Sequence, residues 1–233
     1  MSKQGRSDAS LVMTLEKAAR IAKCSLMPNR PYHVQWFLTN RCNYRCRSCN
    51  VWRSKQDENE LSTQEVKKGL DILKNLGVIE VVLTGGAPLL RDDIGDIIDY
   101  ASRFFVTTVY DNGSLAAEKI ETLRKADFVA ISLDTLDPEK NDHAKGVKGS
   151  WNKAMKSIET LHREGVQVSI TPTISQVNLN EIVPLTKYFL QRDIPVWYSL
   201  YSYDSESDSN QLFKIGKKNE ELEIANKENM IKL

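Results

Sequence analysis

The chain has 233 residues and a formal net charge of +1, from 32 Lys and Arg against 31 Asp and Glu. The balanced charge removes the electrostatic argument for nucleic acid as a partner, and the sequence contains no apolar run of about 18 residues that would cross a membrane. A chain of this length buries enough surface to hold a core without disulfides or metal ions, so its cysteines need another explanation.

The N-terminal segment, residues 1–31, begins with a polar stretch that lacks the apolar region of a secretory signal, and we therefore expect a cytoplasmic protein. The apolar residues between Leu11 and Ala22 follow helical spacing and predict a short helix that ends before Pro31. Cys24 lies in this segment. It is most simply a buried helical cysteine, and the sequence leaves a role as a metal ligand open.

Residues 32–203 form the predicted core, in which strands alternate with helices. The segment from His33 to Thr39 is rich in β-branched and aromatic residues, as a strand should be. After the cysteine-containing loop, Ser62 and Glu65 match the pattern of a capping box, and the helix that they open is expected to stop at Gly77.

The alternation continues through five further strands. The predicted strands are 78–83, 106–110, 128–133, 166–171 and 195–200, and the predicted helices are 92–104, 116–125, 150–164 and 179–192. We expect Ser114 to cap the second of these helices, and a polar loop to precede the third. Strands joined by helical crossovers give a parallel sheet.

Six strand–helix units are fewer than the eight that close a full barrel. We therefore predict an α/β fold, a partial (βα)6 TIM-like barrel, with a doubly wound sheet as the alternative. Residues 204–233 are polar and predict a C-terminal extension outside this core.

Three of the four cysteines, Cys42, Cys46 and Cys49, fall in the loop after the first strand. In parallel α/β folds, active sites collect at this carboxyl end of the strands. Thiolates suit zinc or an iron–sulfur cluster, but structural zinc takes four protein ligands and the loop contains no histidine. Three thiolates on a 4Fe–4S cluster leave one iron without a protein ligand, which is the open position of a reactive site.

The segment 42–49, Cys-Asn-Tyr-Arg-Cys-Arg-Ser-Cys, resembles the cluster loop of the radical S-adenosylmethionine (SAM) superfamily, and it follows the first strand as in that family. The resemblance implies a 4Fe–4S cluster on the three cysteines, with SAM chelating the open iron. It also implies that one electron cleaves SAM and releases a 5′-deoxyadenosyl radical, which abstracts hydrogen from a substrate. A structural zinc knuckle is the alternative interpretation of the cysteines.

A second segment resembles the SAM-binding part of the same family. Gly85, Gly86 and Ala87 stand where the family has Gly-Gly-Glu, whose backbone contacts the amino group of SAM, although a Gly-Gly-x-Pro sequence alone indicates only a turn. Two residues depart from the family pattern. Ala87 replaces the usual glutamate, and Ser48 replaces the aromatic residue that often precedes the third cysteine and contacts adenine.

Four more residues are SAM-binding candidates by the resemblance. Asn112 belongs to an Asp-Asn-Gly sequence that resembles the family's Thr-Asn-Gly turn, which turn chemistry alone also explains. Ser132 and Asp134 end the fourth strand, in a segment that resembles the one reaching the ribose and methionine parts of SAM. Lys145 stands near the position of a family arginine and would pair with the SAM carboxylate, or it is an ordinary loop lysine.

These features predict a radical SAM enzyme with one cluster that acts on an unidentified small molecule, lipid or cofactor precursor. Its expected partners are a one-electron reductant such as ferredoxin or flavodoxin and a protein that covers the open face of the barrel. We expect no nucleic acid partner and no membrane span. The alternative is an iron–sulfur electron-transfer or sensor module without SAM cleavage, because Ala87 and Ser48 depart from the family pattern.

Overall fold

The computed structural model describes Ala22 and residues 31–53, 60–202 and 219–223. Apart from Ala22, the predicted N-terminal helix with Cys24 lies outside the described residues. Of the predicted C-terminal extension, only 219–223 are described.

Five parallel strands form one sheet, in the order β1-β2-β3-β4-β5. The strands are β1 (His33–Thr39), β2 (Glu80–Gly85), β3 (Val106–Asp111), β4 (Phe128–Ile131) and β5 (Val168–Ile170). Each strand pairs with the next one along the chain, and all four pairings are parallel. Because parallel neighbours need crossover connections, helices separate the strands in sequence.

The predicted sixth strand is shorter than expected. Val196 forms an isolated parallel bridge with Ile170, and the chain pairs again where β7 (Ser199–Leu200) runs beside β6 (Thr173–Ile174). Pro172 separates β6 from β5, because its ring carries no N–H for the ladder. The prediction of one continuous strand over 195–200 is therefore wrong in its extent.

The sheet curves around a shared interior. A cavity of about 390 Å³ is lined by residues from each of the strands β1 to β5 and from the segment 195–197, including His33, Glu80, Thr108, Ala130 and Trp197. Side chains from both ends of a sheet meet in one cavity only when the sheet is rolled. The fold is a partial (βα)6 TIM-like barrel, as predicted, and the sequential strand order excludes the doubly wound alternative.

The helices pack around this sheet. They are α1 (Thr63–Leu76), α2 (Ile94–Ser102), α3 (Ile120–Leu123), α4 (Pro138–Lys145), α5 (Ser150–Arg163) and α6 (Ile182–Leu190), with 3-10 turns at Val51–Arg53, Pro88–Leu90, Ala116–Glu118 and Leu179–Glu181. The capping box of α1 is confirmed: the Ser62 hydroxyl accepts the N–H of Glu65, and the Glu65 carboxylate accepts the N–H of Ser62 at 2.8 Å. The helix ends at Gly77, whose φ is 89°.

The prediction of a helix over 116–125 with Ser114 as its cap is wrong in two respects. The segment is a 3-10 turn followed by the four-residue α3. Ser114 does not cap it, because the Ser114 hydroxyl instead accepts a hydrogen bond from Asn43 Nδ2 at 2.8 Å.

The polar loop expected before α5 contains the helix α4. Asp137 caps α4, since its carboxylate accepts the N–H groups of Glu139 and Lys140, and Pro138 occupies the first helical position, where its missing N–H costs nothing. The helix is short and carries few apolar residues, so its sequence shows no apolar period.

The core lies between the sheet and the helices. Fully buried side chains come from β2 and β4, from α2 and from the segment before β3, among them Leu83, Ile97, Phe105 and Ile131. Each such side chain contributes roughly 1.5–3 kcal/mol of burial free energy. This packed base holds the carboxyl ends of the strands, and the loops that follow them, in fixed positions.

Candidate active site

The three clustered cysteines line one cleft at the carboxyl ends of the strands. Cys42, Cys46 and Cys49 are half-buried and have no disulfide partner. The cleft has a volume of about 400 Å³. Its walls are lined by residues from every part of the barrel: Cys42, Tyr44, Cys46, Ser48, Cys49, Val51, Trp52, Thr84, Gly85, Gly86, Tyr110, Asp111, Asn112, Ser132, Lys145, Thr173, Ser199, Leu200, Tyr201 and Ser202.

The loop that carries the cysteines, 40–50, is held on one side by the segment after β2. The N–H of Gly86 donates to the carbonyl of Thr39, and the N–H of Ala87 donates to the carbonyl of Arg41, both at 2.8 Å. A Cβ on Gly86 would lie 2.3 Å from the Arg41 oxygen. Gly85 has a φ of 136°, which favours glycine. The two glycines therefore permit direct backbone contact between the two segments.

Helix α4 holds the same loop from the other side. The N–H of Arg45 donates to the carbonyl of Lys145 at 3.2 Å, and the N–H of Arg47 donates to the carbonyl of Ala144 at 2.9 Å. Gly146 ends α4 with a φ of 63°. A Cβ there would lie 2.4 Å from the Arg45 oxygen, so this contact also depends on glycine.

A chain of amide side chains links the cysteine loop to the end of β3. Asn112 Nδ2 donates to Asn43 Oδ1 at 2.8 Å and lies 3.9 Å from Cys42 Sγ, while Asn112 Oδ1 accepts the N–H of Ser114 at 2.9 Å. Asn43 Nδ2 in turn donates to the Ser114 hydroxyl. Asn43 is a residue that the sequence did not single out, because its partners lie about 70 positions away.

Lys145 is buried beside Ser132 and Asp134, the predicted SAM-binding residues that follow β4. Its Nζ donates to Ser132 Oγ at 2.7 Å and forms an ion pair with Asp134 Oδ2 at 2.8 Å. Asp134 Oδ1 also accepts the N–H of Thr173 at 2.9 Å. Lys145 and Ser132 line the cleft, whereas Asp134 and Ala87 lie outside its lining.

Burial changes the acidity of the thiols. It raises the pKa of Cys42, and it raises the pKa of Cys46 to about 12 against the opposing effect of Lys145. Thiols with raised pKa values hold their protons until a cation displaces them, which is how metal binding couples to proton release. Among the described residues, no group of three or more His, Cys, Asp or Glu side chains is arranged to hold a single metal ion.

Two aromatic residues, one in the cysteine loop and one in the 3-10 turn that follows it, were not predicted as part of the site. The Tyr44 hydroxyl is buried and has no hydrogen-bond partner within the described part of the chain, and Tyr44 lines the cleft. Trp52 Nε1 donates to the carbonyl of Cys46 at 3.1 Å, and the Arg53 guanidinium stacks 4.1 Å from the Trp52 ring centre. Trp52 thereby fixes the backbone between the second and third cysteines.

The family comparison matches residues 36–189, more than half of the chain, to the radical SAM superfamily. This chain belongs to the radical SAM superfamily. The cofactors of that superfamily are a 4Fe–4S cluster and SAM, which agrees with the cofactors predicted from the cysteine loop.

Two curated proteins are similar to this chain over 157 and 168 residues. The chain is 31% identical over 157 residues to the antilisterial bacteriocin subtilosin biosynthesis protein AlbA of Bacillus subtilis (strain 168), covering 65% of this chain and 35% of AlbA. It is also 31% identical over 168 residues to the Fe-coproporphyrin III synthase of Methanosarcina barkeri (strain Fusaro / DSM 804), covering 70% of this chain and 42% of that protein. The chain thus spans less than half the length of these curated relatives.

The fold is shared with a solved radical SAM structure. The crystal structure of Streptococcus suis SuiB bound to S-adenosylmethionine superposes with a TM-score of 0.68 at 22% identity, covering 91% of this chain and 50% of SuiB. None of the helices in the described ranges is long and apolar enough to cross a membrane.

Proposed function

We propose that this chain is the catalytic core of a radical SAM enzyme, in which Cys42, Cys46 and Cys49 hold a 4Fe–4S cluster. The observation that carries the proposal is that all three thiols open into one cleft from a loop whose backbone is held on both sides. The donor set fits such a cluster, because thiolates are its usual ligands. A volume of about 400 Å³ lies within the range of small-molecule sites.

When bound, the cluster supplies the electron that cleaves a carbon–sulfur bond of SAM. The chain's own residues bind and orient SAM. Gly85 and Gly86 form the wall for its amino acid part, and the backbone of Ala87, which lies outside the lining, joins this segment to the cysteine loop. Lys145 supplies a positive charge for the SAM carboxylate, and Ser132 holds the lysine Nζ in place.

Asn112 and Asp134 have supporting roles in this proposal. Asn112 donates toward Cys42 and orients the loop through Asn43. Asp134 acts through Lys145, because it forms the ion pair with the lysine behind the cleft lining. Within this proposal, Asp134 is therefore a positioning residue.

The substrate that we propose is a small molecule, a lipid or a cofactor precursor. Support comes from the relative named as an Fe-coproporphyrin III synthase, while SuiB is described as bound to the precursor peptide SuiA, so a peptide is the competing class. The proposed reductant is a ferredoxin or flavodoxin, and the proposed compartment is the cytoplasm, where thiols stay reduced. Comparison of metabolites between a deletion strain and its parent distinguishes these substrate classes.

A protein partner is proposed for the open side of the barrel. Exposed apolar side chains support it, since Tyr32, Trp197 and Leu200 are 65%, 64% and 56% exposed. Large apolar side chains left exposed at the edge of a sheet are available for contact with a partner. A stable monomer in gel filtration, with no partner recovered at stoichiometric amounts after cross-linking in cells, would contradict this part of the proposal.

The enzymatic proposal is tested by anaerobic reconstitution of the chain with iron and sulfide, followed by reduction with dithionite in the presence of SAM. We expect 5′-deoxyadenosine and methionine as products. The variant in which Cys42, Cys46 and Cys49 are all replaced by alanine should hold no cluster and form no product. Cys24→Ala is the matched control and should retain both.

Two outcomes would favour the alternatives. A cluster that forms without any SAM cleavage, and whose reduced EPR spectrum does not change when SAM is added, would indicate an electron-transfer or sensor module. Anaerobically purified protein that holds zinc and neither iron nor sulfide would indicate a zinc protein.

A further inference from the structure

The carboxylate of Asp111 is a buried anion at the wall of the cleft. The proposed function gives it no role. Asp111 ends β3, is 5% exposed and lines the cleft. Its Oδ1 accepts the N–H of Gly113 at 2.8 Å, and its Oδ2 accepts the N–H of Leu89 at a long 3.4 Å. The backbone N–H of Asn112 also donates to this carboxylate. Because a carboxylate has about four acceptor positions, these bonds leave room for one further donor.

Asp111 has no counter-ion among the described residues. No Lys, Arg or His of the described chain forms an ion pair with it, and Lys119 acts on it only at longer range. Lys145, the cation of the cleft wall, is already paired with Asp134. Burial raises the pKa of Asp111 to about 6. A buried carboxylate without a cation is unfavourable, and such an arrangement is typical of a site that receives a donor from a ligand.

The position of Asp111 indicates which part of a ligand it faces. The hydrogen bond from the Leu89 N–H joins Asp111 to the segment that begins with Gly85 and Gly86. Asp111 and the two glycines line the same cleft. Asp111 is also the one acidic residue among the described residues that line this cleft. Lys145 lies at the end of α4 and reaches the β4 side of the cleft. The cleft therefore offers an anion from the end of β3 and a cation from the end of α4, which complements the two ends of an amino acid.

We propose that Asp111 accepts a hydrogen bond from the α-amino group of bound SAM. This inference rests on the proposed function, and it adds a side-chain contact to the backbone contacts of Gly85 and Gly86. Hydrogen bonds to a charged group contribute more than neutral ones. Loss of the charge should therefore weaken the binding of SAM by about tenfold to a hundredfold.

The test compares two ligands on the cluster-containing, unreduced protein by anaerobic equilibrium dialysis. One ligand is SAM. The other is 5′-dimethylsulfonio-5′-deoxyadenosine, which keeps the adenosine and the sulfonium but lacks both the α-amino and the α-carboxylate group of SAM. We expect Asp111→Asn to weaken the binding of SAM at least tenfold and that of the second ligand less than twofold. The second ligand also reports whether the cleft of the variant is intact.

Two further variants complete the design. Asp111→Thr removes the charge and keeps an oxygen for the turn, so it replaces Asp111→Asn if that variant does not fold. Asp127→Asn is the matched control, because Asp127 also accepts a backbone N–H, from Thr107 at 2.9 Å, but at the opposite end of the sheet. This control should bind both ligands as the wild type does.

The outcomes separate this inference from the proposed function. Unchanged SAM binding in both Asp111 variants, or an equal loss for both ligands, would overturn the assignment of the amino group and leave the proposed function standing. Failure of the cluster-containing wild type to bind SAM at all would overturn the proposed function and this assignment together.

Discussion

Lys145 and Asp134 form a buried ion pair with 2.8 Å between Nζ and Oδ2, and their side chains are 6% and 12% exposed. Burial lowers the pKa of Lys145, but Asp134 and Cys46 outweigh this effect and raise it, so the lysine keeps its charge. The backbone carbonyl of the same lysine accepts the N–H of Arg45. One residue therefore connects the end of β4 to the cysteine loop.

We predict that Lys145→Met destabilises the protein by about 3–5 kcal/mol, because it leaves Asp134 as an uncompensated buried charge. Urea unfolding of the protein without iron measures the change. Lys140→Met is the matched control: the Lys140–Glu181 ion pair is 48% exposed on the lysine side, and such pairs contribute about 0–1 kcal/mol. Equal effects of the two variants would show that the buried pair has no special contribution.

Gly86→Ala should disrupt the contact between the segment after β2 and the cysteine loop. The new Cβ would lie 2.3 Å from the carbonyl oxygen of Arg41, and the backbone has to shift to relieve this overlap. We expect a loss of at least about 2 kcal/mol and a lower iron content after reconstitution, measured against wild type by urea unfolding and iron analysis.

Gly95→Ala is the control for this substitution. Gly95 lies in α2, and a Cβ there would be 3.5 Å from the nearest atom of Thr122, an ordinary contact. Since alanine favours a helix over glycine by about 1 kcal/mol, this variant should be as stable as the wild type or more stable. A Gly86→Ala variant that matches it in stability and iron content would refute the prediction.

The predictions from sequence succeeded where the deciding residues are neighbours in the chain. The capping box needs only Ser62 and Glu65, and the cysteine spacing of 42–49 identified the superfamily by itself. The strand–helix alternation gave the partial barrel, because each continuous apolar run predicts a strand that is covered on both faces.

Features that depend on distant contacts were missed. Ser114 matches the cap pattern, but Asn43 binds its hydroxyl across 71 positions. Helix α4 (Pro138–Lys145) is stabilised by its cap and by contact with the cysteine loop, neither of which produces an apolar period. Asp111 was noted only as part of a turn, because its burial and its lack of a counter-ion become visible only in the folded chain.

The predicted polar C-terminal extension contributes a buried residue to the cleft region. Leu222 is 4% exposed, its carbonyl accepts the N–H of Gln176 at 3.1 Å, and it borders a small cavity with Ser48. We predict that Leu222→Ala costs about 2–4 kcal/mol of unfolding free energy. Glu221→Gln, which removes the partly exposed ion pair with Arg47, should cost at most about 1 kcal/mol. Circular dichroism during urea unfolding measures both, and an effect of Leu222→Ala no larger than that of Glu221→Gln would mean that the leucine packs only weakly.

Asp111 also predicts a dependence of stability on pH. Burial raises its pKa in the folded protein to about 6, above the ordinary value of 3.8, so folding favours the protonated form. This contribution is fully present below about pH 4 and is lost as the pH rises through 6. A shift of about two units corresponds to about 3 kcal/mol. Relative to Asp111→Asn, the wild type without iron should lose up to that amount between pH 4 and pH 7.

Urea unfolding of the two proteins at pH 4, 5, 6 and 7 measures this difference. Asp99→Asn, compared with the wild type from pH 7 down to below the ordinary carboxyl pKa of 3.8, serves as the opposite case. The hydrogen bond from Arg103 to Asp99 lowers the pKa of Asp99, so its contribution is present above the ordinary carboxyl pKa and disappears as the pH falls. The wild type should therefore lose stability relative to Asp99→Asn toward low pH, and relative to Asp111→Asn toward neutral pH. A constant difference between the wild type and Asp111→Asn over this range would show that Asp111 carries the same charge in the folded and unfolded chains. In that case, the carboxylate of Asp111 that we propose as a contact of SAM would not lower the free energy of unfolding.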